Sequence, residues 1–212
     1  MQLKPLSRSL RAPCAGFTML EVLISLLIAV FGLLGLIGLQ AQAQVAEFES
    51  YQRGQALVLV NDMADRIAFN RGTDAGGYVI GWRCYAFTPT TDPQKYLGTG
   101  NTVAAACADA SVTGDPKTRA DADLVAWNDL LQGSGETVTV GGAKVGGLLG
   151  ARGCITRDGT TGVIRVSVAW QGMAPTVASA ATCATTQYGA NDALRRVVFT
   201  EVVVPVLTVV TP

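Results

Sequence analysis

The chain has 212 residues, a length that suits one domain plus an anchor, and its 16 basic and 16 acidic residues give a formal net charge of zero. It contains no histidine, which excludes Ser-His triads and the commonest transition-metal ligand. We find neither a basic patch nor an aromatic signature of RNA binding, so no nucleic-acid partner is predicted.

Residues 1–16 form a basic leader. They include Lys4, Arg8 and Arg11 and no acidic residue. Positive charges ahead of an apolar run keep the N-terminus in the cytoplasm. Three of the 16 basic residues lie in this leader, so the rest of the chain holds 13 basic residues against 16 acidic ones.

Residues 22–39 form an apolar run without a charge, in which Ser25 is the one polar residue. A bilayer has a hydrocarbon core of about 30 Å, which about 20 helical residues cross. Extended back to Phe17, the run is long enough to be a membrane helix. Glu21 places a carboxylate at its start, where a charge costs roughly 2.5 kcal/mol or more, so an ionisable residue there indicates function.

Residues 16–21, with the sequence GFTMLE, resemble the processing site and mature N-terminus of type IV prepilins and pseudopilins. The resemblance includes the charged leader and the apolar helix, and covers roughly residues 1–70. It implies that a prepilin peptidase cuts between Gly16 and Phe17 and methylates the new N-terminus of Phe17. It also implies that Glu21 pairs with the Phe17 ammonium group of a neighbouring subunit and sets its axial register. The alternative is a residue near the membrane edge whose carboxylate reaches water.

Two other processing interpretations were weighed. An ordinary secretory signal would use residues 41–43, Ala-Gln-Ala, as its cleavage site. Signal-peptide apolar regions are 7–15 residues long, however, and this interpretation leaves residues 16–21 unexplained. Lipid attachment at Cys14 would require a preceding apolar region, whereas Cys14 comes before it. We therefore favour cleavage at Gly16.

A single long helix is predicted from Phe17 to Asn70, since no proline interrupts the chain before Arg71-Gly72. Its membrane and assembly half would be residues 17–39, and its amphipathic half 40–71. Gly54 weakens the helix by about 1 kcal/mol, and the alternative is two helices joined there. One stripe repeats at intervals of three and four residues and should face a sheet: Val45, Phe48, Gln52, Ala56, Leu59, Met63 and Ile67.

Residues 72–212 predict a globular β head outside the cytoplasm. We predict a strand or extended segment at 78–87 and a short helix at 121–131, whose Trp127 faces the core. Asp158-Gly159 predicts a hairpin turn, and alternation in the strand that follows predicts one buried and one solvated face. The predicted strands are 136–140, 154–157, 163–170 and 195–204. The fold class is therefore α+β, with an antiparallel sheet of about four strands packed on the long helix.

Five cysteines are present, and removal of the leader with Cys14 leaves four. An even number in an exported chain predicts two disulfides, for which three pairings exist. We favour Cys84–Cys107 and Cys154–Cys183 because each closes a short local loop; free buried cysteines are the alternative. The second pair would resemble the disulfide-closed C-terminal region of many pilins. No two cysteines have the C-x₂₋₄-C spacing of zinc sites, and no metal or cofactor is predicted.

Several segments look like the PilV class of minor pilins: EVLIS at 21–25, RGQALVLVNDMADRIAFNR at 53–71, Trp127 in a short helix, RVSVAW at 165–170 and RRVVFTEV at 195–202. That resemblance implies a complex with other minor pilins that primes pilus assembly and caps the fibre tip, often with a large adhesin. The implied partners are prepilin peptidase, the inner-membrane assembly platform, and other minor and major pilins. The precursor would sit in the inner membrane with its head in the periplasm, and the mature protein would reach the pilus fibre.

Two alternatives to a minor pilin stay open. The first is a minor pseudopilin of a type II secretion system, which would prime a short periplasmic pseudopilus through the same packing of apolar helices. The second is a membrane-anchored periplasmic enzyme or binding protein. Catalysis is disfavoured because a cysteine nucleophile without histidine is implausible. The pair Asp121 and Asp123 is better explained as helix N-terminal charge.

Overall fold

The computed structural model of the protein describes residues 16–73, 79–139, 141, 144 and 146–204. The leader up to residue 15 therefore lies outside the described residues, as do Tyr78 and Val140 at the ends of two predicted strands. In chain order the elements are α1 (Met19–Phe69), a 3₁₀ helix (Gly81–Cys84), β1 (Leu97–Gly98), α2 (Asp115–Leu131), β2 (Arg152–Arg157), β3 (Ile164–Gln171), a second 3₁₀ helix (Ala190–Asp192) and β4 (Arg195–Val202).

The chain divides into two compact units, residues 1–46 and 47–212. The predicted long helix is confirmed: α1 is one uninterrupted helix, and the alternative joint at Gly54 is not formed. No atom approaches the position that a Cβ of Gly54 would take, so this glycine loosens the helix without bending it around a neighbour.

Within the second unit, α1 buries a stripe that begins later than predicted. Val45 and Phe48 remain exposed, and Val60 takes the fully buried position that we assigned to Leu59. The stripe joins α2 and the inner face of the sheet in one apolar core, where Trp127 of α2 is fully buried, as predicted. The buried residues of α1 are Gln52, Ala56, Val60, Met63, Ala64 and Ile67.

The sheet is four-stranded and antiparallel with the order β1-β2-β3-β4, which confirms the predicted fold class. The predicted strand at 136–140 was wrong. The outer edge of β2 is taken by Leu97–Gly98, and the Gly98 N–H donates to Asn128 Oδ1 at 2.9 Å. The glycine-rich loop closes on itself instead, with the Gly146 N–H bound to the Gly133 carbonyl at 3.2 Å.

The predicted strand near residues 78–87 is a 3₁₀ helix over Gly81–Cys84. Gly81 lies so close to Asn70 that any Cβ there would collide with it. The hydroxyl of Tyr85 donates to Asp123 at 2.6 Å and accepts from Asn70 Nδ2 at 3.1 Å. These contacts fold the segment against the end of α1 and prevent it from extending into the sheet.

Helix α2 starts six residues before the predicted cap at Asp121, because Pro116 occupies its first turn, where a fixed φ is favourable. Asp121 and Asp123 are therefore not N-terminal charges. Asp121 accepts the Cys107 N–H at 2.6 Å, which lowers the pKa of the carboxyl. Asp123 accepts one hydrogen bond from the Tyr85 hydroxyl and another from the Arg66 guanidinium. The bond to Arg66 joins α2 to α1. Burial, and then the bond to Asp123, raise the pKa of Tyr85.

One expectation for β3 was wrong: its second face is not solvated. Arg165 is exposed there, but Ser167 and Ala169 are buried. The reason is non-local, since the segment that follows β3 returns over this face and is held to it by a disulfide. Together they form a second apolar cluster, made of Tyr96, Cys154, Ala169, Cys183, Ala184 and Tyr188.

Arg195 holds the segment between β3 and β4 in place. Its guanidinium is 3% exposed and pairs with Asp192 at 3.1 Å. The remaining N–H groups donate to backbone carbonyls of the same segment, namely those of Ser179, Ala181 and Cys183. A buried cation is stable only when paired and hydrogen-bonded, and here the loop supplies every partner. The sequence of this segment shows no regular periodicity, and its conformation follows from this arginine.

We expect Tyr188→Phe to flatten the loss of stability at alkaline pH. Burial raises the pKa of Tyr188 to about 12, although the Arg152 guanidinium, 4.8 Å from the ring centroid, acts in the opposite direction. Unfolded tyrosine loses its proton near pH 10, so between about pH 10 and 12 the folded state binds more protons and stability falls as pH rises, by up to about 1.4 kcal/mol per pH unit.

The measurement is urea unfolding of the full chain in detergent micelles at intervals from pH 9 to 12. Phenylalanine at the exposed position of Tyr51 is the matched control and should follow the wild type. An unchanged slope in the Tyr188→Phe variant would show that this hydroxyl does not titrate differently in the folded state.

Candidate functional site

The start of α1 carries a side-chain cap that the sequence analysis missed. The Glu21 N–H donates to Thr18 Oγ1 at 3.2 Å and to the Thr18 carbonyl at 3.1 Å. Thr18 is thus the N-cap of a helix that begins at Met19. The signal was present, because Thr-x-x-Glu is the capping-box pattern. The cap uses the backbone N–H of Glu21, and its carboxylate lies in the first turn, where the helix dipole favours an anion.

The residues predicted for processing lie just outside this cap. Gly16 and Phe17 precede the helix, and Phe17 is 83% exposed. No atom lies within 4 Å of the place that a Cβ of Gly16 would occupy. The bond between them therefore belongs to an accessible, non-helical segment, the form in which a peptidase can bind a chain.

Glu21 is not brought against a basic side chain among the described residues, and no ion pair there includes it. Its carboxylate is exposed on α1. The partner implied by the family resemblance, the ammonium group of Phe17, exists only after cleavage and on a second molecule.

The first unit presents a long apolar surface with nothing packed on it. Every large apolar side chain from Met19 to Leu39 is at least 46% exposed. Ser25 satisfies its hydroxyl within the helix by donating to the Val22 carbonyl at 2.9 Å. Within the described part of the chain, α1 alone is long and apolar enough to cross a membrane, with a mean hydropathy of 2.8 in its most apolar window.

This exposed surface needs a partner. Burying one large aliphatic side chain contributes about 1.5–3 kcal/mol, so a run of such residues left in water would cost tens of kcal/mol. Lipid or other apolar helices can cover it. The helix is thus built to leave water, and its capped first turn places Glu21 at the edge of the region that does.

Two disulfides close loops in the head. Cys84 bonds to Cys107 and Cys154 to Cys183, at sequence separations of 23 and 29 residues. The first holds the 3₁₀ helix near the start of α2, and the second holds the segment after β3 to the outer face of the sheet. These are the two local pairings that the spacing favoured.

We expect the double substitution Cys154→Ser and Cys183→Ser to lower the free energy of unfolding by about 2–4 kcal/mol. Loss of this link frees a loop of 29 residues in the unfolded chain and removes cover from Ser167 and Ala169. Limited proteolysis and urea unfolding should place the new opening after Gln171. The pair Cys84 and Cys107 should stay oxidised in this variant, which mass measurement after alkylation can check.

Comparison with known proteins adds one finding at the N-terminus. Residues 11–37 match the prokaryotic N-terminal methylation motif. The chain has a type IV pilin-like N-terminus. The matched residues include the Gly16–Phe17 junction, the Thr18 cap and Glu21. A long apolar N-terminal helix followed by a four-stranded antiparallel sheet is also a pilin-like architecture. Neither a curated protein nor a solved structure is found to match this pilin-like chain.

Proposed function

We propose that this chain is a minor type IV pilin of the PilV class. A prepilin peptidase cleaves the leader after Gly16 and methylates Phe17, and the mature protein joins other minor and major pilins through the inner-membrane assembly platform. It primes assembly and lies at the fibre tip, where it supports pilus biogenesis, adhesion or motility. Its role is structural, and it needs no metal or cofactor.

The observation that carries this proposal is the junction of an accessible Gly16–Phe17 bond with a capped helix whose apolar first half is exposed. Before cleavage, the basic leader and the helix hold the precursor in the inner membrane with the head in the periplasm. After cleavage, the helix leaves lipid for a bundle of similar helices. The match to the methylation motif over residues 11–37 supports the same sequence of events.

The head supports a role in partner choice rather than catalysis. It is closed by two disulfides, as suits a domain that works outside the cytoplasm. Most of the segments that look like the PilV class lie in the second half of α1 and in β3 and β4, which all contribute to the core of the head. We therefore assign the choice of partners to the head.

The first test is the intact mass of the protein purified from membranes, before and after reduction. We expect a chain that starts at Phe17, carries one methyl group and gains the mass of about four hydrogens on reduction, two for each disulfide. A chain starting at Gln44 would instead indicate cleavage of an ordinary secretory signal after Ala43, and the assembly mechanism would be lost.

A second test separates a pilus from a type II secretion pseudopilus. The protein should appear in fibres sheared from the cell surface, at a lower level than the main subunit, and its deletion should reduce the number of surface fibres. Normal fibres together with a loss of protein secretion would identify the chain as a minor pseudopilin.

A further inference from the structure

Trp82 is approached by two guanidinium groups. The Cζ atom of Arg157 lies 4.5 Å from the centroid of the indole ring, and that of Arg83 lies 5.6 Å from it. Both distances are within the range of cation–π contacts. Arg83 follows Trp82 in the 3₁₀ helix, whereas Arg157 is the last residue of β2. The fold therefore brings two like charges from distant segments onto one ring.

The two segments are held in place independently of each other. The Trp82 Nε1–H donates to the Val79 carbonyl at 2.9 Å, and Cys84 is disulfide-bonded two residues later. On the other side, the turn after Arg157 is closed by the Asp158 side chain, whose Oδ1 accepts the N–H groups of Thr160 and Thr161 at 2.7 and 2.9 Å. The arrangement around Trp82 is thus set before any ligand arrives.

The stack of Arg157 on Trp82 lines two open hollows. One has a volume of about 500 Å³ and also contains Arg83, Ala86 and Asp109. The other, of about 210 Å³, is bordered by the glycines and threonines of the β2–β3 turn. Together they form a shallow cleft with cations in the middle and hydroxyl and backbone groups at one end. We call this surface the Trp82 cleft.

The two arginines of the Trp82 cleft each have one carboxylate nearby, Asp109 for Arg83 and Asp158 for Arg157, but neither forms a close ion pair within the described part of the chain. Arg83 and Arg157 take part in no ion pair there, whereas four other arginines pair with carboxylates. Asp109 borders the same hollow as Arg83, and its carboxylate is held by the backbone N–H of Ser111 at 2.9 Å, so the two hollows contain two guanidinium groups and one carboxylate. Outside the leader, acidic residues outnumber basic ones, so this positive site is a local exception.

We propose that the Trp82 cleft binds an acidic polysaccharide of the uronic-acid class. A sugar carboxylate would bind the guanidinium groups of Arg157 and Arg83, where charge-assisted hydrogen bonds are strongest. The ring hydroxyls of the next residue would reach Thr160 and Thr161 in the smaller hollow. A polymer of such units offers carboxylates and hydroxyls in alternation, which fits two adjoining open hollows better than an isolated anion does.

This proposal goes beyond assembly, because it gives the head a ligand of its own. The test uses the full mature chain in detergent micelles at 0.15 M salt and measures the binding of a fluorescein-labelled polyuronate oligosaccharide by anisotropy. We expect the double variant Arg83→Gln and Arg157→Gln to bind about ten-fold more weakly or worse. Arg53→Gln removes one exposed charge of α1 outside both hollows and should bind as the wild type does.

Two further arms make the outcome specific. Neutral dextran should not bind, and polyglutamate of similar length should bind at least about ten-fold more weakly than polyuronate. Equal binding of polyglutamate, wild-type binding by the double variant, or no binding of polyuronate by the wild type would each overturn the proposal. Cleavage at Gly16 and entry into fibres should be unchanged in the double variant, so a failure here stays separate from a failure of the assembly function.

Discussion

Replacing Trp127 by alanine is expected to lower the free energy of unfolding of the head by about 3–5 kcal/mol. The indole is fully buried at the point where α1, α2 and the sheet meet. A tryptophan buries about 200 Å² of surface, which corresponds to about 5 kcal/mol at 25 cal/mol per Å². Its Nε1–H also donates to the Leu59 carbonyl of α1 at 3.0 Å, a bond that alanine cannot make.

The pocket around Trp127 leaves little room for repacking. Gly153 of β2 lies directly against the ring, and a Cβ there would collide with its carbon atoms. Gly153→Ala should therefore also destabilise the head, by about 1–3 kcal/mol from overpacking. Because the backbone of β2 rests on the indole, the strand cannot move inward to fill the cavity without breaking its pairing with β1 and β3.

The measurement is urea unfolding of the full chain in micelles, followed by pulse proteolysis so that the apolar half of α1 does not dominate the signal. Val125→Ala is the matched control, because Val125 lies on the same helix but is 49% exposed, and it should stay within about 0.5 kcal/mol of the wild type. A Trp127→Ala variant within 1 kcal/mol of the wild type would contradict the role given to this side chain.

The sequence predicted well the elements that depend on interactions between residues close together in the chain. The long helix followed from the absence of proline and from apolar residues at helical spacing, and its observed bounds, Met19–Phe69, differ from the prediction by two residues at one end and one at the other. The hairpin between β2 and β3 was predicted from Asp158-Gly159 and forms, although its turn is closed by the backbone of Asp158 with Val163 and Gly162. In both cases each residue acts on neighbours a few positions away, so the pattern suffices.

The sequence-based predictions were wrong where contacts between distant segments determine which residues are buried or paired in the sheet. Strand β1 is two residues long and carries no alternation of its own; it is in the sheet because Asn128 of α2 binds the Gly98 N–H. Ser167 and Ala169 are buried because the segment joined to Cys154 returns over them. The strand at 136–140 had suitable propensity, but Leu97–Gly98 had already taken the edge of β2. The spacing of apolar residues within one segment does not show which of two segments will pair with the edge of β2.

The N-terminal processing site and the Trp82 cleft differ in how far they could be predicted from the sequence. Gly16, Phe17 and Glu21 belong to one contiguous motif and could be proposed from the sequence, while Thr18 was overlooked although the capping pattern was visible. The Trp82 cleft could not be proposed, because Trp82 and Arg157 lie far apart in sequence and meet only through the fold. Arginine and tryptophan on a surface are unremarkable until their distances are known.

The largest functional effect is expected from Glu21→Ala. The variant should be cleaved at Gly16 and retained in the membrane, yet enter fibres at least about a hundred-fold less well. We expect the carboxylate to pair with the Phe17 ammonium group of the neighbouring subunit, where the helix leaves lipid for the bundle. Removing one partner of a buried ion pair typically costs about 3–5 kcal/mol, since the other charge is left without compensation. The measurement compares the protein in sheared fibres with that in membranes.

The cap at Thr18 is made by the backbone N–H of residue 21, so Glu21→Ala keeps this hydrogen bond and removes the side chain and its charge together. Glu21→Gln keeps the length and polarity of the side chain, which a capping box accepts at this place, and removes the charge alone. If charge sets the register, Glu21→Gln should fail as Glu21→Ala does, whereas Glu47→Gln, on an exposed part of α1, should assemble normally. Normal fibres from Glu21→Gln would contradict ion pairing as the way in which Glu21 acts in assembly.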